Sequence, residues 1–216
     1  MKQFEHFPLI EISGGPMVRG LQYGEQAKER IASSIDIYSR SLKDLGLTKD
    51  QTLELANSFV SKIAVWAPDL VDEMKGIAKG ASVSLGEIML INARTEILQL
   101  AERGEGFIDN NADGCTGAII MPKLSINGEI IHGQNWDWNE ECIDNTIVLR
   151  VLRDNGPNLL TFTEAGGLAR SGLNSVGISI TANYLKCDRD YKNLGIPLPF
   201  IRRRALECRY YSDAIR

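Results

Sequence analysis

Asp113-Gly114-Cys115-Thr116-Gly117 divides the chain into two halves of different character. Before it, apolar residues recur at helical spacing. After it, they fall into short runs broken by turn residues, which is the pattern of strands. Cys115 stands at the head of the first of those runs. The second run ends in His132-Gly133-Gln134-Asn135-Trp136-Asp137-Trp138. A turn between the two runs brings the carboxylate of Asp137 back beside the thiol of Cys115. This layout suits a chain that cuts itself before Cys115 and then uses the freed cysteine as a nucleophile, with its own α-amino group as base.

Upstream, Leu9-Ile10-Glu11-Ile12-Ser13 reads as a short strand closed by Gly14-Gly15-Pro16. One helix is predicted from Met17 to Leu45, with Leu21, Ala27, Ile31, Ile35 and Leu42 on its apolar face. Gly46 stops it. Thr48 caps a second helix from Lys49 to Trp66, and Pro68 opens a third that ends near Gly80. Ser84, with Glu87 three residues on, is a capping-box signature for a fourth, largely buried helix reaching Leu98. Residues 101–114 are polar and Gly-rich, and read as an exposed linker.

Downstream, strands are predicted over Thr116–Met121, Glu129–Gln134, Thr146–Leu152, Leu159–Thr163 and Gly177–Thr181. Asn127-Gly128 makes the first turn. A last helix starts near Pro197 and runs through Phe200, Ala205 and Leu206. The order is helices, then an antiparallel meander, then a helix: an α+β fold with helices covering a sheet. The expected organisation is one structural domain, made of a helical segment over 1–114 and a strand-rich part over 115–216.

The chain has 216 residues, 44% of them hydrophobic and 24% charged, with a net charge of −4. That is ordinary for a globular domain and gives no field to draw in nucleic acid or an anionic membrane. No apolar stretch approaches the roughly 20 residues of a membrane span. Met1-Lys2-Gln3-Phe4-Glu5-His6 lacks the apolar core of a signal peptide, so the chain reads as cytoplasmic. Cys115, Cys142, Cys187 and Cys208 form no C-x-x-C pair, and His6 and His132 are the two imidazoles. These argue against a structural zinc site, and no metal or cofactor is expected. Cys142, Cys187 and Cys208 read as small buried apolar residues, and Arg202-Arg203-Arg204 as a solvated helix face.

Cys115 needs a base, because a free thiol has a pKa of about 8.5. A free α-amine, at about 7.7–8.0, suits that role, and it becomes available once the Gly114–Cys115 bond breaks. Gly114 leaves room for the thiol to attack the preceding carbonyl. Asp137 would orient the amine, Thr116 offers a hydroxyl beside the scissile peptide, and Asn135 supports Asp137. Trp136 and Trp138 read as core packing. His132 reads as a satisfied strand residue, although a papain-like Cys–His pair is the weaker alternative.

These residues resemble the acyl-coenzyme A:6-aminopenicillanic acid acyltransferase family of N-terminal nucleophile hydrolases. The likeness extends beyond Asp113-Gly114-Cys115-Thr116. Gly14 to Gly24 resembles the opening G-x-P-x-x-R-G-x-x-x-G segment. Pro68-Asp69-Leu70, Glu73, Gly76-Ile77-Ala78, Gly80-Ala81 and Asn92-Ala93-Arg94-Thr95-Glu96 resemble the helices before the nucleophile. Gly172-Leu173-Asn174, Gly177 and Thr181-Ala182-Asn183 resemble a later strand, and Pro197 to Leu206 the helix after it.

The resemblance implies an αββα sandwich, self-cleavage between Gly114 and Cys115, and a Cys115 thioester. It places Asp137 in the pocket and Asn183 near the oxyanion. Gln134 is expected as a supporting residue of the site; the bile-salt hydrolase branch has Arg in its place, which argues against that branch. Family members continue beyond the helix that ends here, so the C-terminal part is expected to be missing. The expected partners are a small-molecule acyl donor, such as an acyl amide or a coenzyme A thioester, and an amine or water acceptor. A homo-oligomer is compatible with the reading. The competing reading is an uncleaved, inactive, partner-binding remnant.

Overall fold

A computed structural model describes residues 6–102, 115–183, 185, 187, 190 and 192–216. The fold is α+β. Strand β1 (Leu9–Ser13) is followed by helices α1 (Pro16–Gln26), α2 (Lys28–Asp44), α3 (Lys49–Trp66), α4 (Pro68–Ala81), α5 (Leu85–Asn92) and α6 (Arg94–Glu102). Then come β2 (Thr116–Ile120), β3 (Ile131–Asn135), β4 (Thr146–Leu152), β5 (Leu159–Glu164), β6 (Ser171–Asn174) and β7 (Ser179–Ile180). Helices α7 (Leu198–Glu207) and α8 (Tyr211–Ala214) close the order. Among the described residues, no helix is long and apolar enough to cross a membrane.

The strands do not form the single meander read from the sequence. Five of them make a mixed sheet in the order β1-β4-β5-β6-β7, with β1 parallel to β4 and the other pairs antiparallel. β2 and β3 form a separate hairpin, with Thr116 opposite Asn135 and Ile120 opposite Ile131. Hydrophobic alternation identifies strands but not the order in which they pair. β1 enters from outside the meander because Ile10 and Ile12 point to the same core as Ile147, Leu149 and Val151.

Two further differences lie in where the helices end. The helix expected over Met17–Leu45 breaks at Ala27, and the one expected from Ser84 to Leu98 breaks at Ala93. Both junctions keep a helical hydrogen bond across the break, Ala27 N to Tyr23 O and Ala93 N to Met89 O, so the apolar period runs on across the bend. Both capping boxes form. Gln51 and Thr48 exchange bonds of 3.2 and 2.9 Å, and Glu87 and Ser84 bonds of 3.2 and 2.8 Å.

Helices α1 and α4 cross at glycines. Gly20 and Gly24 of one meet Gly76 and Gly80 of the other so closely that a Cβ on any of them would press on the partner backbone. This contact brings Arg19 onto Glu73, with Nε 3.0 Å and Nη2 2.6 Å from Oε2. The same oxygen accepts from Arg203 Nη2 at 2.8 Å.

The middle of Arg202-Arg203-Arg204 is therefore not a solvated face. Arg203 is fully buried, and it also pairs with Glu207 at 3.0 Å. Arg204 pairs with Asp69 and with Glu207. An amphipathic count cannot anticipate a buried arginine whose carboxylate comes from α4.

Candidate functional site

The turn between β5 and β6 is buried and built from small residues, Ala165-Gly166-Gly167-Leu168-Ala169. Gly166 has φ +91, a conformation that favours glycine. Tyr23 on α1 holds the turn from one side. Its hydroxyl accepts from Gly166 N at 2.9 Å and donates to Gly167 O at 3.1 Å. Asn92 on α5 holds the other side, accepting from Leu168 N at 2.8 Å and donating to Gly166 O at 2.8 Å. Arg203 donates to Leu168 O at 3.2 Å. The helical half thus fixes the residue that follows this turn, Arg170.

Arg170 faces Cys115. Its Nη2 lies 3.9 Å from Sγ, and its guanidinium stacks 3.7 Å from the centroid of the Trp136 ring. Cys115 is half-buried at the head of β2. Its carbonyl accepts from Asn183 Nδ2 at 3.2 Å.

Gln134 fixes that asparagine. Nε2 donates to Asn183 Oδ1 at 3.1 Å and to Ala182 O at 2.7 Å, while Oε1 accepts from Ser171 Oγ at 2.7 Å. His132, two residues earlier on the same face of β3, lies 2.7 Å from Ser179 Oγ and 3.0 Å from Thr181 Oγ1. Both ring nitrogens are engaged by hydroxyls of the larger sheet, so the hairpin is held against β6 and β7 by polar side chains.

Among the expected site residues, Cys115, Gln134 and Asn183 come together. Thr116 and Asn135 are opposite one another at the end of the hairpin and are exposed. Asp137 is exposed, two residues past the last ladder pair. Gly114, on the far side of the expected scissile bond, lies outside the described residues, as does most of the expected linker.

The tryptophans are not core. Trp138 is 37% exposed and donates from Nε1 to Tyr38 OH at 3.1 Å; Trp136 packs edge-on to Phe162 at 6.0 Å. The two rings stack with centroids 6.5 Å apart, and Trp136 backs the Arg170 guanidinium. Arg170 gave no motif signal, and its trace in the sequence was a lone cation directly after a run of small apolar residues.

Beside Trp138, Arg94 pairs with Glu164 at 2.6 Å and donates to Tyr38 OH at 2.7 Å. Cys142 is buried in this cluster. Burial first, and then the Glu164 charge, push its thiol up to about 12. A thiol held protonated in this way is a poor nucleophile. Cys208 is half-buried and Cys187 is exposed, so the expectation of small buried residues holds for Cys142 and fails for Cys187.

The chain is similar to acyl-coenzyme A:6-aminopenicillanic-acid-acyltransferase 40 kDa form of Emericella nidulans, at 31% identity over 209 residues. This similarity supports the acyltransferase family read from the sequence. It covers 95% of this chain and 54% of the relative, so the chain spans about half the length of the curated relative it matches. No family model matches.

Proposed function

We propose that the chain carries the nucleophile of an N-terminal nucleophile acyltransferase or amidohydrolase, built as an αββα sandwich and activated by cleavage before Cys115. The observation that carries this reading is the setting of Cys115. It sits at the head of β2, its sulfur faces a guanidinium, and its carbonyl is bonded by an asparagine from the neighbouring sheet. The family similarity supports the same reading.

In the proposed maturation, Sγ attacks the Gly114 carbonyl carbon. The C–N bond breaks, a thioester forms, and the freed nitrogen becomes the α-amine of Cys115. Water then hydrolyses the thioester, leaving a Gly114 carboxylate and a free thiol. In turnover the α-amine takes the thiol proton as Sγ attacks the acyl carbon. It returns that proton to the departing amine, or to the thiolate of a coenzyme A donor. An amine or water, deprotonated by the same group, attacks the Cys115 thioester and releases the product.

Asp137 would hold the ammonium form through a charge-assisted hydrogen bond. Asn183, oriented by Gln134, would stabilise the oxyanion.

The test is the covalent intermediate. Incubation with an acyl donor, followed by acid quench and peptide mass mapping, should place the acyl mass on Cys115 and on no other cysteine. Acyl mass spread over Cys142, Cys187 and Cys208 as well would reject a single activated nucleophile.

A further inference from the structure

The turn that carries Asp137 belongs to the strand half of the chain, but the helical half holds it. Residues 136–145 follow β3, and helix α2 meets them at three places. Arg30 donates to Asp144 O, Arg40 pairs with Glu141 at 2.6 Å, and Tyr38 OH accepts from Trp138 Nε1 at 3.1 Å. The Arg40–Glu141 pair is exposed on both sides, so it holds the loop weakly. Tyr38 is buried.

A phenol has one hydrogen to give and two lone pairs to receive. Arg94 Nε and Trp138 Nε1 can only donate, and they occupy both lone pairs at 2.7 and 3.1 Å. The hydrogen therefore goes to Glu164 Oε1, while the other oxygen of Glu164 pairs with Arg94. Burial keeps the phenol protonated well above its ordinary range, so this arrangement stands at neutral pH. The Cys142 thiol, 3.8 Å away, adds a weak contact.

The Trp138 ring is also held by the Arg94 guanidinium, 5.3 Å from its centroid. Trp136 has no such anchor, because its Nε1 is buried without a hydrogen-bond partner. That ring is held by stacking on Trp138 and Arg170. Of the two indoles that flank Asp137, Trp138 therefore supplies the hydrogen bond, and Tyr38 receives it.

We infer that Tyr38 is a positioning residue of the site: through Trp138 it fixes the turn that holds Asp137 beside the amino group of Cys115. The part given to Asp137 rests on the nucleophile reading; the hold of Tyr38 on Trp138 does not. A carboxylate free to swing away stabilises the α-ammonium less. Loosening Tyr38 should therefore imitate removal of the Asp137 charge. The amine then loses its proton at lower pH, although Tyr38 touches none of the reacting atoms.

Two measurements on the full chain test this. The first is solvent exchange of the indole N–H groups by heteronuclear NMR, with the Trp138 signal assigned by its loss in Trp138→Phe. Tyr38→Phe should speed that exchange about fivefold or more, the scale of one lost hydrogen bond. Unchanged Trp138 exchange overturns the inference.

The second is the pH–rate profile with hexanoyl-coenzyme A as donor, followed by release of the coenzyme A thiol. Tyr38→Phe should lower kcat about tenfold, with less effect on KM, and move the acid limb to lower pH. Trp138→Phe alters a partly exposed ring and should do the same, so it serves if Tyr38→Phe does not fold. The double variant should move the limb no further than either alone, because both act through one contact. Arg40→Gln loosens the exposed anchor of the same loop and should leave the limb in place. A limb that stays put in Tyr38→Phe and Trp138→Phe, or moves equally in Arg40→Gln, overturns the inference.

The nucleophile reading is scored separately, by acyl mass on Cys115 in the same incubation. A wild-type chain without that mass sinks the nucleophile reading and the part of Asp137 with it, while the exchange result still decides whether Tyr38 holds the turn. Acyl mass with an unmoved limb keeps the reading and overturns the inference.

Discussion

Gly76→Ala should destabilise the whole chain, although alanine is the better helix former. A Cβ at Gly76 would come within 2.8 Å of Leu21 N and 2.9 Å of Gly20 Cα, and closer still to Met17 O. Carbon contacts settle at about 3.5–4.0 Å, so α4 must move from α1 by about 1 Å. The atoms in the way are backbone, which no side-chain rotation can clear. Alanine gains about 1 kcal/mol of helix propensity. Overpacking costs about 1–3 kcal/mol.

The displacement also loosens Glu73 from Arg19 and Arg203. Disrupting a buried pair costs about 3–5 kcal/mol when one partner is removed, and partial loosening adds about a third of that. The net expectation is a loss of about 2 kcal/mol, or a melting temperature lower by about 4–8 °C. Thermal and urea unfolding followed by circular dichroism measure this. Gly195→Ala is the control, because nothing lies within 4 Å of its added Cβ and its φ is not in the left-handed region. Equal or greater stability of Gly76→Ala would show that the crossing has room to spare and that the glycines are not required by close approach.

Asp137→Asn should lower turnover roughly tenfold or more and move the acid limb of the pH–rate profile to lower pH, because the α-ammonium loses a stabilising charge; unchanged kinetics would make Asp137 a solvated strand end. Gln134→Ala should reduce turnover more than it reduces stability, read by comparing initial rates with unfolding curves, since it releases Asn183 from its bond at 3.1 Å. Cys142 should stay unlabelled by iodoacetamide at pH 8 in the folded chain while exposed Cys187 reacts, because burial keeps the Cys142 thiol protonated up to about 12. Glu207 should contribute to acid unfolding. Burial alone would raise its carboxyl, but Arg203, Arg153 and Arg204 outweigh it and hold the carboxyl below its ordinary value. Its stabilising effect is therefore full above the unfolded pKa of about 4.3 and is lost as pH falls through the lower folded value; Glu207→Gln should flatten that part of the stability–pH curve.

Local chemistry was legible in the sequence wherever neighbouring residues settle it. Thr48 with Gln51 and Ser84 with Glu87 form the capping boxes their spacing announces, and Leu9–Ser13, Lys49–Trp66 and Thr146–Leu152 have the expected ends. What depended on distant partners was not legible. The parallel β1–β4 pairing joins residues more than a hundred positions apart. Arg203 lies beneath the helix surface because Glu73 receives it, and no reading of α7 alone could show that. At the site, Cys115, Gln134 and Asn183 were anticipated and meet through hydrogen bonds. Arg170 was missed because its place depends on Tyr23, Asn92 and Arg203 gripping the preceding turn from three different helices.

The central claim is that the chain cuts itself before Cys115 and so frees its nucleophile. Intact-mass measurement of freshly folded protein, with N-terminal sequencing of the fragments, tests it most directly. The account predicts two fragments, the second beginning at Cys115, and a single uncut chain for Cys115→Ala. A wild-type chain that stays whole, or a Cys115→Ala chain that breaks at the same bond, would contradict it.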